Sequence, residues 1–382
     1  MSVLTKMRID EFATMKYGKM PPKNVVSDTG YPIYSGYRIT GYAKEYLYKN
    51  PELIVVARGV GGTGDVKISP PEAWITNLSI VLSLSEDIAD KRFLYYRLGR
   101  EPLKERLNTG AAQAQITIEN LRSYEIELPS LTSQKRIASI LSAYDDLIEN
   151  NRRRISLLEE AARLLYREWF VHFRFPGHEH VKIVDGVPEG WGLTTFGELF
   201  DFPGGFAFKS STYTDDGKFG VVTIKNVHDA KFVPECSSRV DDIPEKLKDV
   251  CRLKTGDILL SLTGNVGRAC VIFGDDYLLN QRVAKVCGKD GVSDQFAYWT
   301  FSNPDTQKTL ENLAYGVAQL NLSPVILSER PFLKPDQTLM DEFTGITKPT
   351  FDQLIKLNLQ NQVLIKARDL LLPRLMDGRL EV

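Results

Sequence analysis

The sequence predicts an α+β fold built twice: two similar modules, each followed by a long helix, the two helices packing as an antiparallel coiled coil. Three observations predict it. The first is a repeat. Leu107, Gly110, Ala112, Gln113, Leu121, Pro129 and Thr132 meet identical residues 206 positions later, at Leu313, Gly316, Ala318, Gln319, Leu327, Pro335 and Thr338. The same offset carries Asp146/Asp352, Ala161/Ala367, Leu164/Leu370 and Leu165/Leu371. The second is alternation, inside each repeat, of short apolar runs and glycine turns with aromatic-faced helical stretches. The third is a change of hydrophobic period at the end of each repeat. A period this long is a duplicated module, far beyond a solenoid unit.

The elements follow in order. PELIVVAR at Pro51 and GDILLSL at Gly256 are short apolar runs bounded by Gly or Pro, which read as buried strands. Each enters a glycine-rich turn, GVGGTGD at Gly59 and TGNVGRA at Thr263, and then a second strand, VKI at Val66 and CVIF at Cys270. Upstream of the main repeat the register slips to 203, with Asn77 opposite Asn280. Small loop insertions leave such slips. RFLYYRLGREPLKERL and DQFAYWTFSNPDTQKTLENL then read as helices.

From Ile137 the apolar positions step by four and three: Ile137, Leu141, Tyr144, Ile148, Asn151, Ile155, Leu158, Ala162 and Leu165. That is a heptad seam, with no Gly or Pro from Leu131 to Phe175. In the second copy Leu354, Leu357, Asn361, Leu364 and Leu371 keep the spacing, with Arg368 in the seam. Gly345 and Pro349 are expected to break the start of this helix, and Thr350 to restart it through a capping box with Gln353. A heptad helix must bury its seam, and the other copy is the obvious partner. Asn151 and Asn361 are expected to fix register. The domain division is 1–130, 131–178, 179–335 and 336–382.

Composition narrows the class. Of 382 residues 43% are hydrophobic and 25% charged, ordinary for a globular chain. No run of 18 apolar residues occurs and the start MSVLTKMRIDEF lacks an apolar signal core, so the expected location is cytoplasmic and no membrane is implied. Cys236, Cys251, Cys270 and Cys287 form no C-x-x-C pair and read as free thiols. A net charge of −1 excludes a basic nucleic-acid coat but leaves room for a local basic surface. The glycine turns lack the P-loop and dinucleotide signatures. No G-x-S-x-G anchors a nucleophile, and His172, His178 and His180 flank a Pro-Gly loop instead of a fixed metal frame. No catalytic or metal residue is expected.

Four segments carry a family resemblance: RLLYREWFVHFRFPGHE (Arg163 to Glu179), LLLPRLMDGRL (Leu370 to Leu380), GDILLSLTGNVGRA (Gly256 to Ala269), and G-x-A-Q-x-x-[IL]-[ST] at Gly110 and Gly316. With the duplication, they make the chain similar, over nearly its whole length, to the specificity subunits of type I restriction–modification systems. The resemblance implies two target-recognition domains, each reading half of a bipartite double-stranded DNA site. It implies helices that space the domains and dock two methyltransferase subunits, alongside restriction/translocase subunits. S-adenosylmethionine and ATP would bind those partners, with no cofactor in this chain. The rival classes are a fused methyltransferase or nuclease with degenerate motifs, and a coiled-coil adaptor that binds no DNA.

Positions identical in the two copies are expected to hold the scaffold, and positions that differ in equivalent turns to read bases. The candidates for DNA contact are Arg58, Thr63, Lys67 and Gln115 in the first module. In the second they are Lys209, Lys225, Asn226, Asn265, Arg268, Gln281 and Arg282. Trp169, Phe170, Phe173 and Phe175 put four rings in seven residues, expected to close the helix pair or dock a methyltransferase subunit.

Overall fold

The computed structural model describes residues 4–59, 61–110, 113–316 and 320–380; the repeat positions Ala112, Ala318 and Gln319 lie outside them. The chain forms two compact units, Met1–Leu147 with Leu364–Val382, and Ile148–Val363.

In the first unit a strand at Thr5–Arg8 pairs antiparallel with Glu125–Leu128, tying the two ends of the module together. A short helix (Ile9–Phe12) leads into a four-stranded sheet with spatial order 13–17, 79–84, 53–56 and 66–68. A second sheet runs 26–27, 38–43, 31–35 and 74–75. Leu53–Val56 is buried on both faces, which is why its run is continuously apolar. Leu53 and Val55 meet Phe93 and Leu94 of the helical side, while Ile54 packs with Tyr34, Ile75 and Val81. The helix Lys91–Gly99 starts where the Asp90 carboxylate accepts from Phe93 N at 2.8 Å.

The second unit repeats this plan. Gly192–Thr195 pairs with Pro331–Lys334, and Phe196–Leu199 is the short helix. The sheets run 200–201, 283–288, 258–261, 269–271 and 239–240, 219–222, 277–279, 252–253. Each module has a parallel strand pairing at the same place, Ile33/Tyr34 with Trp74/Ile75 and Gly220–Val222 with Tyr277–Leu279. The second module also has a hairpin, Val227–His228 with Lys231–Phe232, for which the described residues of the first show no counterpart.

The first long helix spans Leu131–Phe170, and every seam residue from Ile137 to Leu165 is buried or half-buried. The second spans Gln337–Met376 without interruption, against the expected break at Gly345 and Pro349. The reason is placement. Pro349 collides with the carbonyl four residues back, which belongs to Gly345, and both lie on the exposed face where water can satisfy that carbonyl. The opposite face is anchored by buried Phe343, Thr347, Phe351 and Leu354. Gln295 Nε2 donates to Thr347 Oγ1 at 2.8 Å and so ties the module to this stretch. Within the second unit the helices run antiparallel: Asn151 meets Asn361, while Tyr166, Trp169 and Phe170 meet Phe343. Both asparagines are buried, and Asn151 Nδ2 donates to Asn361 Oδ1 at 3.0 Å. In the first unit the polar seam residue Arg368 pairs with Asp145 at 2.5 Å, and Tyr96 donates to the same carboxylate.

Candidate nucleic-acid interface

One backbone frame occurs in both modules. In the first, Ala57 N bonds Leu78 O, Ile116 N bonds Ala57 O and Thr109 N bonds Gln115 O. In the second, Leu262 N bonds Arg282 O, Leu322 N bonds Leu262 O and Tyr315 N bonds Asn321 O. The frame joins the turn after the central strand to the residues that flank the G-x-A-Q segment, Thr109 and Gln115–Ile116 in one module and Tyr315 and Asn321–Leu322 in the other. Both turns depend on a glycine with positive φ, Gly64 (+92°) and Gly267 (+82°). A Cβ on Gly64 would sit 2.8 Å from Lys104 N, and one on Gly267 would sit 3.3 Å from Gln307 O.

Bonds also correct the register upstream. Gly18 N bonds Ser79 O and Lys19 N bonds Ile75 O; their counterparts are Gly205 N to Val283 O and Phe206 N to Leu279 O. Thr76 therefore stands opposite Asn280, and the identity of Asn77 with Asn280 is coincidental. The side chains agree: Thr76 Oγ1 accepts from Leu78 N as Asn280 Oδ1 accepts from Arg282 N.

Unlike side chains occupy equivalent places on this frame. Arg58 faces Gln115 across a bridge, and Thr263 faces Asn321. Thr109 becomes Tyr315, which is 56% exposed. Exposed Asn265, Gln281 and Arg282 belong to the second module's converging turns, where Gln281 N bonds Phe206 O. Arg58 and Gln115 are half-buried in the first. These residues form the candidate interface. Tyr315 and Leu320, both exposed, were missed among the candidates, although the rule of unlike residues at equivalent offsets selects them.

Other candidates go elsewhere. Thr63 is 4% exposed, with its hydroxyl 3.1 Å from Gly59 O and 3.2 Å from Ala114 O, so it holds the two loops together. Asn226 is 2% exposed; its Oδ1 accepts from Thr223 N and its Nδ2 donates to Val233 O, clamping the base of the extra hairpin. Both are internal supports, because their polar groups are already satisfied inside the module. Lys67 lies 3.7 Å from Asp65 and lines a cleft between the glycine turn and the helices. Arg268 is half-buried beside Ser261 in the turn, Lys225 is exposed next to Asn226, and Lys209 is exposed before the 3-10 turn Ser210–Thr212. No hydrogen bond among the described residues ties these last two to the converging turns.

Trp169, Phe170 and Phe175 are buried in the second unit's core, and Phe173 stacks edge-on against Trp191 at 5.3 Å. The three buried rings pack within the core that closes the helix pair, while Phe173 stays half-buried. Beside them the first long helix carries Glu159, whose carboxylate accepts from Tyr298 Oη at 2.8 Å. Burial pushes its carboxyl up to about 7, while Tyr298 and Arg163 oppose the rise and Asp229 adds to it. All four cysteines are free, and burial pushes the Cys236 thiol up to about 11. Among the described residues no cluster of three His, Cys, Asp or Glu side chains could hold a metal ion. Among the described residues no helix is long and apolar enough to cross a membrane.

The family profile described as the type I restriction modification DNA specificity domain matches residues 1–160 and again 188–335. The chain is 25% identical over 401 residues to the MjaVIII type I restriction enzyme specificity subunit of Methanocaldococcus jannaschii, covering 98% of this chain and 92% of that one. It is 26% identical over 335 residues to the MjaIX specificity subunit of the same organism, covering 80% and 73%. In fold it resembles the crystal structure of the type I restriction–modification S subunit from M. genitalium, with a TM-score of 0.66, 20% identity, and 98% and 96% of the two chains covered.

Proposed function

From the premise that this chain belongs to the type I restriction modification DNA specificity family, we propose that it is the non-catalytic sequence-recognition subunit of a type I complex. Each module reads one half of a bipartite double-stranded site, and the helices set the distance between the halves. Two methyltransferase subunits dock on it and restriction/translocase subunits join them, in the cytoplasm. S-adenosylmethionine and ATP are held by those partners. The observation that carries this reading is the hydrogen-bonded loop frame present once per module, displaying Arg58 and Gln115 in one and Thr263, Tyr315 and Asn321 in the other. A shared frame fits a shared backbone; unlike side chains fit unlike base sequences.

The test is selection from a random duplex library with the chain and its cognate methyltransferase assembled. A two-part consensus with a fixed gap is expected. Replacing the first module with one from another family member should change one part only. A single contiguous consensus, or binding without sequence preference, would overturn the proposal.

A further inference from the structure

One connection beside the loop frame differs in length and chemistry between the modules. The strands 31–35 and 38–43 of the first correspond to 219–222 and 239–240 of the second, because Thr76 N bonds Tyr34 O as Asn280 N bonds Val222 O. The return strand is antiparallel in both. In the second module the chain leaves at Thr223, builds the extra hairpin 227–232 and returns at Ser238, whose carbonyl accepts from Val221 N. The tip of that hairpin is occupied within its own module: Asp229 accepts from Gln307 Nε2 at 2.8 Å and from Arg163 Nη2 at 2.9 Å. In the first module the connection is a tight turn, Gly36–Tyr37, closed by Ser35 opposite Arg38. Of the two turn residues Gly36 alone has positive φ (+63°), the pattern of a type II′ hairpin.

This turn is bonded into the frame. Thr76 Oγ1 donates to Ser35 Oγ at 3.0 Å, and Ser79 Oγ donates to Gly36 O at 3.5 Å. Tyr37 lies against the glycine turn: a Cβ on Gly62 would fall 2.6 Å from Tyr37 Cδ1, so glycine leaves the room that the ring takes. Tyr37 and Arg38 are both exposed, and Arg38 lies over the ring with Cζ 5.8 Å from its centroid. Charge then says what fits. Lys19 N bonds Ile75 O, so Lys19, Arg38 and Arg58 stand on segments that meet at this frame, and none of them forms an ion pair among the described residues. Asp65, the acid of the glycine turn, is matched by Lys67 at 3.7 Å. Cations left without acids at one edge fit a polyanion. A planar guanidinium fork fits guanine O6 and N7, and the major groove admits a two-stranded ribbon such as the tip of 31–43.

We propose that the hairpin tip Gly36–Arg38 enters the major groove at the first module's half-site, where Arg38 reads a guanine and Tyr37 is the positioning residue that holds it. The inference rests on the recognition role proposed above and names a reader within it. The residue type and the turn length are both peculiar to the first module, as a determinant of one half-site must be.

The test repeats the duplex selection with the full chain assembled with its methyltransferase, the first module's half being the one that changes when that module is exchanged. Arg38→Ala is expected to lower the preference for one guanine in that half about tenfold, with the other half and the gap unchanged. Arg38→Lys keeps the charge but loses the fork, and should not restore the preference. Tyr37→Ala should weaken the same guanine preference, and Tyr37→Phe should keep it. Because Arg38 is exposed, its variants should leave hydrogen exchange in 31–43 unaltered. A guanine preference that survives Arg38→Ala, a loss spread evenly over all sequences, or full rescue by Arg38→Lys would overturn the inference and leave the two-part reading standing. A wild-type complex that selects no two-part consensus would instead remove the recognition role, and this reader with it.

Discussion

The two units share a plan and differ in how each closes against its stretches of long helix. The first uses an ionic contact, Tyr96 and Arg368 on Asp145, beside an open cleft. The second uses a dense aromatic cluster around Phe343, with an added hairpin and the Glu159–Tyr298 pair. One arrangement of the central four-stranded sheet thus tolerates two chemistries at the same joint. The frame is set by backbone bonds and glycines, and the joint by whichever side chains fill it.

The largest expected effect tests the aromatic joint. Phe343→Ala removes a fully buried ring touching Tyr166, Trp169, Phe170 and Phe296, and should cost about 3–5 kcal/mol in urea unfolding. Hydrogen exchange should rise in residues 192–334 and hold in 5–128. Equal loosening of both modules would erase the distinction between the joints.

Next comes the amide pair. Asn151→Ala leaves the Asn361 amide buried without its partner, at a cost of about 1–3 kcal/mol. The double change Asn151→Leu with Asn361→Leu should recover that stability, and a double variant as unstable as the single one would deny the pair its place in the seam.

The interface gives a comparable figure but a different readout. Arg282→Ala should weaken binding by about 1–3 kcal/mol if it reads a guanine, in one half-site only, and Arg58→Ala should do the same in the other. Loss spread over both halves from either change would contradict separate reading.

The smallest effect is a slope. The folded Glu159 carboxyl lies near 7, above its unfolded value, so the native state holds its proton more tightly. Its contribution is full below about 4.5 and fades as the pH rises through about 7, on the order of 1 kcal/mol after allowance for solvent. Glu159→Gln should flatten that slope; parallel curves for the two proteins would show the carboxyl to be well solvated. At the repeat offset of Glu159 stands Ile365, so the first unit's joint gains no such slope from that position.

Periodic features were legible in the sequence, because periodicity is what packing imposes on composition. The repeat, the seam and its two asparagines all follow from spacing. The uninterrupted second helix was not, since a helix breaker is harmless only when it falls on the wet face, and the face is fixed by tertiary packing. The candidate site was half legible. Asn265, Gln281 and Arg282 are exposed on the converging turns, but Thr63 and Asn226 turned inward, because a polar side chain beside a tight turn serves the turn's own backbone as readily as a ligand. The pairing of Thr76 with Asn280 hid behind a chance identity one residue away.

The asparagine pair also bears on ancestry. Asn151 and Asn361 are not repeats of one another: at the 206-residue offset Asn151 stands opposite Leu357, and Asn361 opposite Ile155. A dimer of two identical first halves, packed in the same register, would set each Asn151 against the Ile155 of its mate. Two amides would then be buried with nothing to bond. The fused chain, with its halves allowed to diverge, distinguishes its own second helix from a copy of its first. A simple homodimer of the first half would carry that penalty, and the fused chain avoids it by pairing Asn151 with Asn361.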